Sequence, residues 1–340
     1  MDFLRKLFFR RAVPNPSARP VPALPDRPEW FKEDEGLPYP HWGQISDWVA
    51  DHVEADDFAE AYNHAARLWL TKLATAAGAG LTLSESTHFL LLSPFESTGR
   101  KWTLKVLENA RRHILDALGT LAWLEGGGKQ VVLVMDHASY NLYISHYFPG
   151  DYMGRSAGVM ITGGGYAHIA AQAPPKDHFT DTPLLRTLAH ELTHHALCQL
   201  ALPRWLDEAL AMSFEDQLAG SETSIADRLG ASFEAIGTRA LLKEFAAWWT
   251  EERLQGFWSG SLWNSEDDEQ AFCYEMSRIL FRILSQTTHH AKDRFRRFIS
   301  DAHFSDAGEA ASQQHLGLSL GEAAAEFLGE GDWEPHPFRW

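Results

Sequence analysis

The segment from Leu188 to His195 contains a pattern of side chains that can do chemistry. It reads Leu188-Ala-His190-Glu191-Leu-Thr-His194-His195, so two histidines stand four positions apart and a glutamate follows the first. On an α-helix such histidines share one face, and their imidazole nitrogens can bind a single ion at about 2.0–2.1 Å. The pattern therefore predicts a metal site.

A helix must carry this motif. Thr182 is a good N-cap residue and Pro183 suits the first helical position, so we predict a helix from about Pro183 to Leu200. At 100° per residue, one face is mostly apolar and comprises Leu185, Leu188, Ala189, Leu192, Ala196 and Gln199. His190 and His194 fall on the opposite face. We expect the helix to pack through the apolar face and to present both imidazoles on the other.

A catalytic zinc ion needs a third protein ligand. Cys198 lies on the same face, but about 12 Å of helix rise separates it from His190, so the two cannot share one ion. A second helix is predicted after Pro203. Its Glu208 can return from an antiparallel helix to complete a set of two histidines and one glutamate. This set leaves one coordination position open for water.

The elements around the motif indicate the fold class. Before it, strands and helices alternate: we predict strands over 88–92, 131–135, 158–161 and 166–171, a helix over 101–121, and a short helix over 140–147. After residue 181 the chain is mostly helical. The sequence thus predicts an α+β fold, with a small mixed sheet packed on helices and a mostly helical C-terminal part.

Composition divides the chain into four regions. Residues 1–40 form a basic, proline-rich tail and linker, 41–84 a helical region, 85–200 an α/β lobe ending in the motif helix, and 201–340 a helical lobe carrying Glu208. Residues 1–11 mix apolar and basic side chains, which gives a weak expectation of contact with an anionic membrane surface. No apolar run reaches the ~18 residues that a transmembrane segment needs.

Charge and cysteine content exclude further classes of protein. With 30 Lys and Arg against 46 Asp and Glu, the net charge is −16, and such a surface repels phosphate backbones. We therefore expect no nucleic-acid partner. Cys198 and Cys273 are the only cysteines, too few for a disulfide framework. This count indicates a reducing compartment or no redox role for the cysteines, and we expect a cytoplasmic protein.

Two sequence blocks carry a family resemblance. His190-Glu-Leu-Thr-His194, followed by Trp205-Leu-Asp-Glu208-Ala-Leu-Ala, resembles the gluzincin group of zinc metallopeptidases, including its compact bacterial members. The resemblance spans about residues 85–330 and is strongest at 185–212. It implies a zincin-like fold and hydrolysis of a peptide or protein substrate. It also implies that His190, His194 and Glu208 bind Zn²⁺ while Glu191 acts as general base.

The same resemblance implies roles outside the metal site. Tyr274, in the predicted helix that follows, takes the place of a tyrosine that often stabilises the oxyanion in gluzincins. The strand from Tyr166 to Ala171 would be the sheet edge that pairs with an extended substrate. Aminopeptidases of the group carry Gly-x-Met-Glu-Asn on an upstream segment. The nearest match here, Gly158-Val-Met160-Ile161-Thr162, lacks the Glu and the Asn, so we do not expect an aminopeptidase.

Three alternatives remain open from the sequence. A zinc-stabilised domain with a binding or scaffold role would use the same ligands. A di-iron carboxylate oxidoreductase would use paired Glu-x-x-His segments, and Glu85-Ser-Thr-His88 supplies a second copy, although 81–92 reads as a turn into a strand. Finally, the motif is an accident if His190 and His194 lie on a solvated amphipathic helix.

Two other patterns each allow two interpretations. The run Thr162-Gly-Gly-Gly165 is a turn or a phosphate loop, and the missing Gly-Lys-Ser/Thr favours the turn. The tryptophan-rich stretch from Trp248 to Trp263 is a buried part of the core or a cover over a cleft, and burial is the favoured interpretation.

Overall fold

Helices and a small β-sheet make up the described part of the chain. The computed structural model describes residues 24–78, 80–124, 128–149, 156–174, 182–219, 238–264, 267–287 and 292–340. The basic segment 1–11 and its expected membrane contact lie outside these residues. The mixed α+β class is as predicted. Within the described residues, no helix combines the length and the apolar character needed to cross a bilayer.

The chain divides into two units. The first lies within Met1–Asp116 and Trp123–His195, and the second within Ala117–Ala122 and Ala196–Trp340. Strands and helices of the first unit are β1 (Phe31–Asp34), β2 (Leu37–Pro40), α1 (Trp42–His52), α2 (Phe58–Ala77), β3 (Thr82–Glu85), β4 (Phe89–Ser93), α3 (Ser97–Leu118), β5 (Gln130–Met135), α4 (His137–Ser145), β6 (Gly158–Gly163), β7 (Tyr166–Gln172) and α5 (Thr182–Leu197). The last turns of α3 and α5 run into the second unit.

Five strands of the first unit form one sheet in the order β3-β4-β5-β7-β6. Strands β4, β5 and β7 are parallel, whereas β3 and β6 pair antiparallel at the two edges. The prediction that Tyr166–Ala171 forms the edge for a substrate is therefore wrong. That segment is β7, which hydrogen-bonds to a strand on each side, and the edge strand next to it is β6.

The apolar runs explain the centre of the sheet. Strands β4 and β5 are buried at every residue, as expected for parallel strands covered on both faces. Between β6 and β7, Gly164 and Gly165 have φ values of 57° and 81°, which suit a two-residue hairpin turn. The glycine run is thus a turn, as favoured, and not a phosphate loop.

A short hairpin, β1–β2, lies in the region predicted as tail and linker. Trp30, Leu37 and Tyr39 bury their side chains in the core cluster that also covers one face of the sheet. Leu24 is buried in the same cluster. Because this stretch is rich in proline and charged residues, its sequence does not resemble that of a strand. The hairpin is recognised from its pairing and packing.

The second unit is helical. Its α-helices are α6 (Arg204–Ala219), α7 (Thr238–Trp248), α8 (Glu251–Ser259), α9 (Asp267–Thr287), α10 (Lys292–Asp301), α11 (Glu309–Leu316) and α12 (Leu320–Leu328). A capping box begins α12: the Ser319 hydroxyl accepts from the Glu322 N–H, and the Glu322 carboxylate accepts from the Ser319 N–H.

The tryptophan-rich stretch of the second unit belongs to its core. Trp249, Trp258 and Trp263 are buried, and the Phe257 ring contacts all three at centroid distances of 5.5, 5.0 and 5.9 Å. Trp258 donates its indole N–H to the Trp333 carbonyl at 3.0 Å. Burial, the favoured interpretation, is confirmed.

A buried histidine makes the first unit sensitive to acid. His168 on β7 is 2% exposed, its Nε2 lies 2.7 Å from the Tyr143 hydroxyl, and burial lowers its pKa to about 3. In the unfolded chain the His168 imidazole binds a proton near pH 6.5, whereas in the folded chain it does so only near pH 3. Acid therefore favours unfolding.

We predict that replacing His168 by glutamine flattens this pH dependence. Between pH 7 and pH 5 the parent should lose about 2 kcal/mol more unfolding free energy than His168→Gln, because only the parent's unfolded state gains the proton. Urea unfolding of both proteins in the same metal-free buffer measures the difference. Equal losses in the two proteins would show that His168 does not titrate in this way.

Candidate metal centre

Helix α5 carries the motif, as predicted. It runs over Thr182–Leu197. Its buried residues are not confined to the apolar face expected from the sequence but cover more of the helix surface. A second buried stripe comprises Leu184, Leu188, Glu191 and His195. His190 and His194 stay half-buried on the remaining side. The helix is thus enclosed on most sides, and the two motif histidines share the part that is not.

The Nε2 atoms of the two motif histidines face each other. His190 Nε2 and His194 Nε2 are 3.0 Å apart, and the rings meet edge to face with centroids 4.7 Å apart. Two ligand atoms held tetrahedrally at about 2.0–2.1 Å from one ion are about 3.4 Å apart. The pair is therefore within a few tenths of an ångström of the spacing that a shared ion requires.

Glu208 joins these two histidines. One ligand atom from each of His190, His194 and Glu208 lies within 4.8 Å of the others. The described residues contain one group of this kind, and it is the set that the sequence singled out. Two imidazoles and one carboxylate match the donor set of catalytic zinc sites, so these residues fit such an ion.

In the second unit, a series of side-chain contacts leads from Glu208 to Tyr274. The carboxylate is 7% exposed, and Arg204 Nε lies 3.8 Å from its Oε1 one turn earlier on α6. The Arg204 guanidinium is 5.4 Å from the centroid of the Trp263 ring. The Tyr274 ring on α9 meets Trp263 edge to face at 5.2 Å. Tyr274 is thus linked to Glu208 through Trp263 and Arg204, while its catalytic role stays a prediction.

Glu191 is held against the sheet in the first unit. It is 8% exposed and is not one of the three grouped ligands. A Cβ at Gly158, the first residue of β6, would overlap the Thr187 methyl and come within 3.2 Å of Glu191 Cγ. Only glycine leaves room for α5 to approach β6 this closely. The candidate general base therefore lies beside the first residue of the edge strand.

Neighbouring titratable residues take no part in the metal group. Burial raises the pKa of Cys198 to about 11, so the thiol keeps its proton at neutral pH and is a poor ligand. His195 is 5% exposed, and the centroid of its ring lies 5.5 Å from that of the Trp123 ring. Burial lowers the pKa of His195 to about 4, so it is neutral at pH 7.

The second Glu-x-x-His segment lies on a hairpin, whose second strand was predicted and whose first strand, Thr82–Glu85, was expected to be a turn. Glu85 ends β3 and pairs with Lys129 at 2.8 Å and Arg67 at 3.0 Å. His88 Nδ1 lies 2.7 Å from the Glu108 carboxylate. Neither residue stands on a helix, so the described structure lacks the paired helical segments that a di-iron bundle uses.

No protein-family model matches the chain, and no curated protein matches it. The gluzincin assignment therefore depends on the motif residues and their placement alone.

Sequence reasoning missed one residue beside Glu191. Gly158 was noted only as part of an incomplete aminopeptidase motif, although an isolated glycine in a strand signals a close backbone approach.

We predict that each of the three ligands is needed for metal binding. His190→Ala, His194→Ala and Glu208→Ala should each lower zinc affinity by more than the 10–100-fold typical of residues outside the ligand set, since two ligands do not hold a catalytic zinc. Affinity in the parent should fall as pH drops through the histidine range. Equilibrium dialysis measures both effects.

Glu85→Ala and His88→Ala are the matched controls for this experiment. They remove the same side chains from the other Glu-x-x-His segment and should leave zinc binding unchanged. Full zinc occupancy in Glu208→Ala would contradict the assignment of the third ligand.

Proposed function

We propose that this chain is a zinc-dependent peptidase of the gluzincin type, with a zincin-like fold. The observation that carries the proposal is the convergence of His190, His194 and Glu208, with Glu191 next to the first ligand and outside the group. The peptide or protein substrate and the cytoplasmic location stay predictions.

The donor set supports zinc as the metal. His190 and His194 would bind through neutral imidazoles and Glu208 through a carboxylate, which leaves the centre with a net charge of about +1. When bound, the ion supplies Lewis-acid chemistry: it acidifies a water molecule and polarises the carbonyl group of the scissile bond. Every remaining step falls to groups of the chain.

Glu191 would carry out the proton transfers of the reaction. As general base its carboxylate accepts a proton from the attacking water, and as general acid it passes that proton to the leaving amine nitrogen. Its neighbour Gly158 keeps the side chain between helix α5 and the first residue of β6. Tyr274 is the proposed donor to the developing oxyanion, held by its ring contact with Trp263.

Strand β6 is the proposed platform for the substrate. It pairs with β7 on one side, and no described strand pairs with its other side. An extended peptide can therefore add to this edge through main-chain hydrogen bonds. Because Gly158 faces α5 and strand residues alternate, Met160 and Thr162 face the same side as Glu191.

The same strand argues against capture of a free amino terminus. In the position where the aminopeptidase motif has glutamate, β6 has Ile161, which is 3% exposed and belongs to the core cluster on the opposite face. Thr162 replaces the asparagine. No carboxylate on β6 is available to bind an ammonium group, so we propose that the peptidase does not require one.

The experiment that tests the function separates catalysis from metal binding. Glu191→Gln keeps the size of the side chain but cannot accept the proton, and loss of a general base costs about 10²–10⁴-fold in rate. With a peptide that the parent cleaves, found by screening a mixed library, we expect kcat to fall by this factor. Bound zinc and melting temperature should stay at the parental values.

Glu244→Gln, an exposed residue on α7, is the control and should cleave at the parental rate. Cleavage by Glu191→Gln at the parental rate would contradict the peptidase mechanism. Loss of zinc from that variant would make Glu191 a ligand or a structural support. Zinc binding without cleavage of any library peptide by the parent would favour the scaffold alternative.

A further inference from the structure

The start of helix α6 is held by a loop that lies about a hundred residues later in the same unit. This loop comprises residues 302–308, directly after α10, and is called the clamp loop below. Its Phe304 N–H donates to the Ala201 carbonyl at 2.9 Å. Trp205 in turn donates its indole N–H to the Ala307 carbonyl, also at 2.9 Å. The chain is thus tied to the clamp loop on both sides of the first residue of α6.

The backbone of the clamp loop adopts a conformation that most residues avoid. Ala307 and Gly308 have φ values of 57° and 87°, where a side chain is unfavourable. Ala307 is nevertheless an alanine, it is 0% exposed, and its carbonyl is the one that accepts from Trp205. A Cβ at Gly308 would lie 3.5 Å from Pro203 Cγ and 3.3 Å from Ala302 Cβ. Such a backbone persists only where its surroundings enforce it, and the contacts with the start of α6 are part of those surroundings.

Trp205 is a neighbour of the third metal ligand. It stands three residues before Glu208 on α6, so their side chains lie on adjoining parts of the helix surface. Trp205 is 0% exposed, and its ring meets Trp258 edge to face with centroids 5.9 Å apart. A rotation of α6 by about 10° moves an atom about 6 Å from its axis by about 1 Å. Metal–ligand distances hold to within about 0.2 Å, so a small rotation removes a ligand from its ion.

We propose that Trp205 is a positioning residue for Glu208: its hydrogen bond to the clamp loop fixes the rotation of α6 and holds the carboxylate where a metal ion requires it. This inference rests on the proposed function, of which it uses only the metal centre. Without the bond, the carboxylate occupies other positions as well, and zinc must then select the competent one. Affinity for zinc falls, although the protein stays folded.

The first test removes the indole N–H in Trp205→Phe and leaves an aromatic ring in the core. We expect zinc affinity, measured by competition with a chromophoric chelator, to fall about 10–100-fold, as when a group that orients a ligand is lost. Trp69→Phe is the matched control, because Trp69 is also 0% exposed and donates its indole N–H to the Pro38 carbonyl at 3.0 Å. It should lower the melting temperature and leave zinc affinity unchanged.

A second variant disturbs the clamp loop without changing α6. Gly308→Ala adds a Cβ close to Pro203 at a φ of 87°, so the loop must shift, and zinc affinity should again fall in the folded protein. Gly317→Ala is its control. Gly317 has a φ of 71°, but among the described residues no atom lies within 4 Å of an added Cβ. It should strain the backbone, lower the melting temperature and keep the parental zinc affinity.

The Glu208→Ala background shows whether the effect passes through the ligand. There, the residual zinc affinity should be the same with and without Trp205→Phe, because the carboxylate to be positioned is absent. A residue that only fills the core would give the same result in both backgrounds.

These outcomes separate the inference from the proposed function. Parental zinc affinity in either folded clamp variant, or an equal loss with and without Glu208, overturns the role of Trp205 and leaves the metal centre intact. If Trp205→Phe does not fold, Gly308→Ala decides alone. Parental zinc affinity in Glu208→Ala overturns the metal centre itself, and unchanged cleavage by Glu191→Gln overturns the peptidase proposal.

Discussion

Helix α5 is buried on most sides, yet it carries four titratable side chains within six residues: His190, Glu191, His194 and His195. This constraint determines how the site is arranged. A buried charge is costly unless it is paired or neutralised. His195 meets the constraint by staying neutral against Trp123. Glu191 is buried beside a glycine of the sheet edge. Only His190 and His194 remain on the less enclosed side, where they turn the same nitrogen toward each other.

The rest of the site follows from how closely α5 approaches the sheet. Gly158 removes the one Cβ that would keep Glu191 away from β6, and β6 is also an edge strand among the described strands of the sheet. One backbone position therefore links the general base to the proposed substrate platform. The hydrogen bonds from α4 to Ser156 hold the start of that strand, which gives a physical reason for polar residues on α4.

Local signals in the sequence were enough for many of the elements and for the grouping of three side chains that could hold a metal ion. The helix with a proline in its first turn, the second helix at Arg204, the buried strands and the capping box at Ser319 all depend on neighbours in sequence, and all are present. Because His190 and His194 are four residues apart on a helix, the sequence also predicted that their side chains lie on one face. Glu208 followed from the need for a third ligand, and the structure groups it with them.

What could not be predicted depends on contacts between distant residues. The order of strands in a sheet is one such property: β6 and β7 are both short and mostly apolar, so sequence alone did not show that β7 lies inside and β6 at the edge. The burial of His195 is another, since nothing adjacent to it in sequence marks it. The hairpin at 31–40 is hidden by its prolines and charges, although its core residues pack well.

The central claim is that two histidines of α5 and a glutamate of α6 hold one metal ion with Glu191 beside it. A crystal structure of the zinc-loaded protein, with an anomalous difference map on either side of the zinc absorption edge, tests it directly. The account predicts one peak about 2.0–2.2 Å from Nε2 of His190, Nε2 of His194 and a carboxylate oxygen of Glu208, with Glu191 outside this distance. A peak bound elsewhere, or one with Glu191 among its ligands, would contradict it.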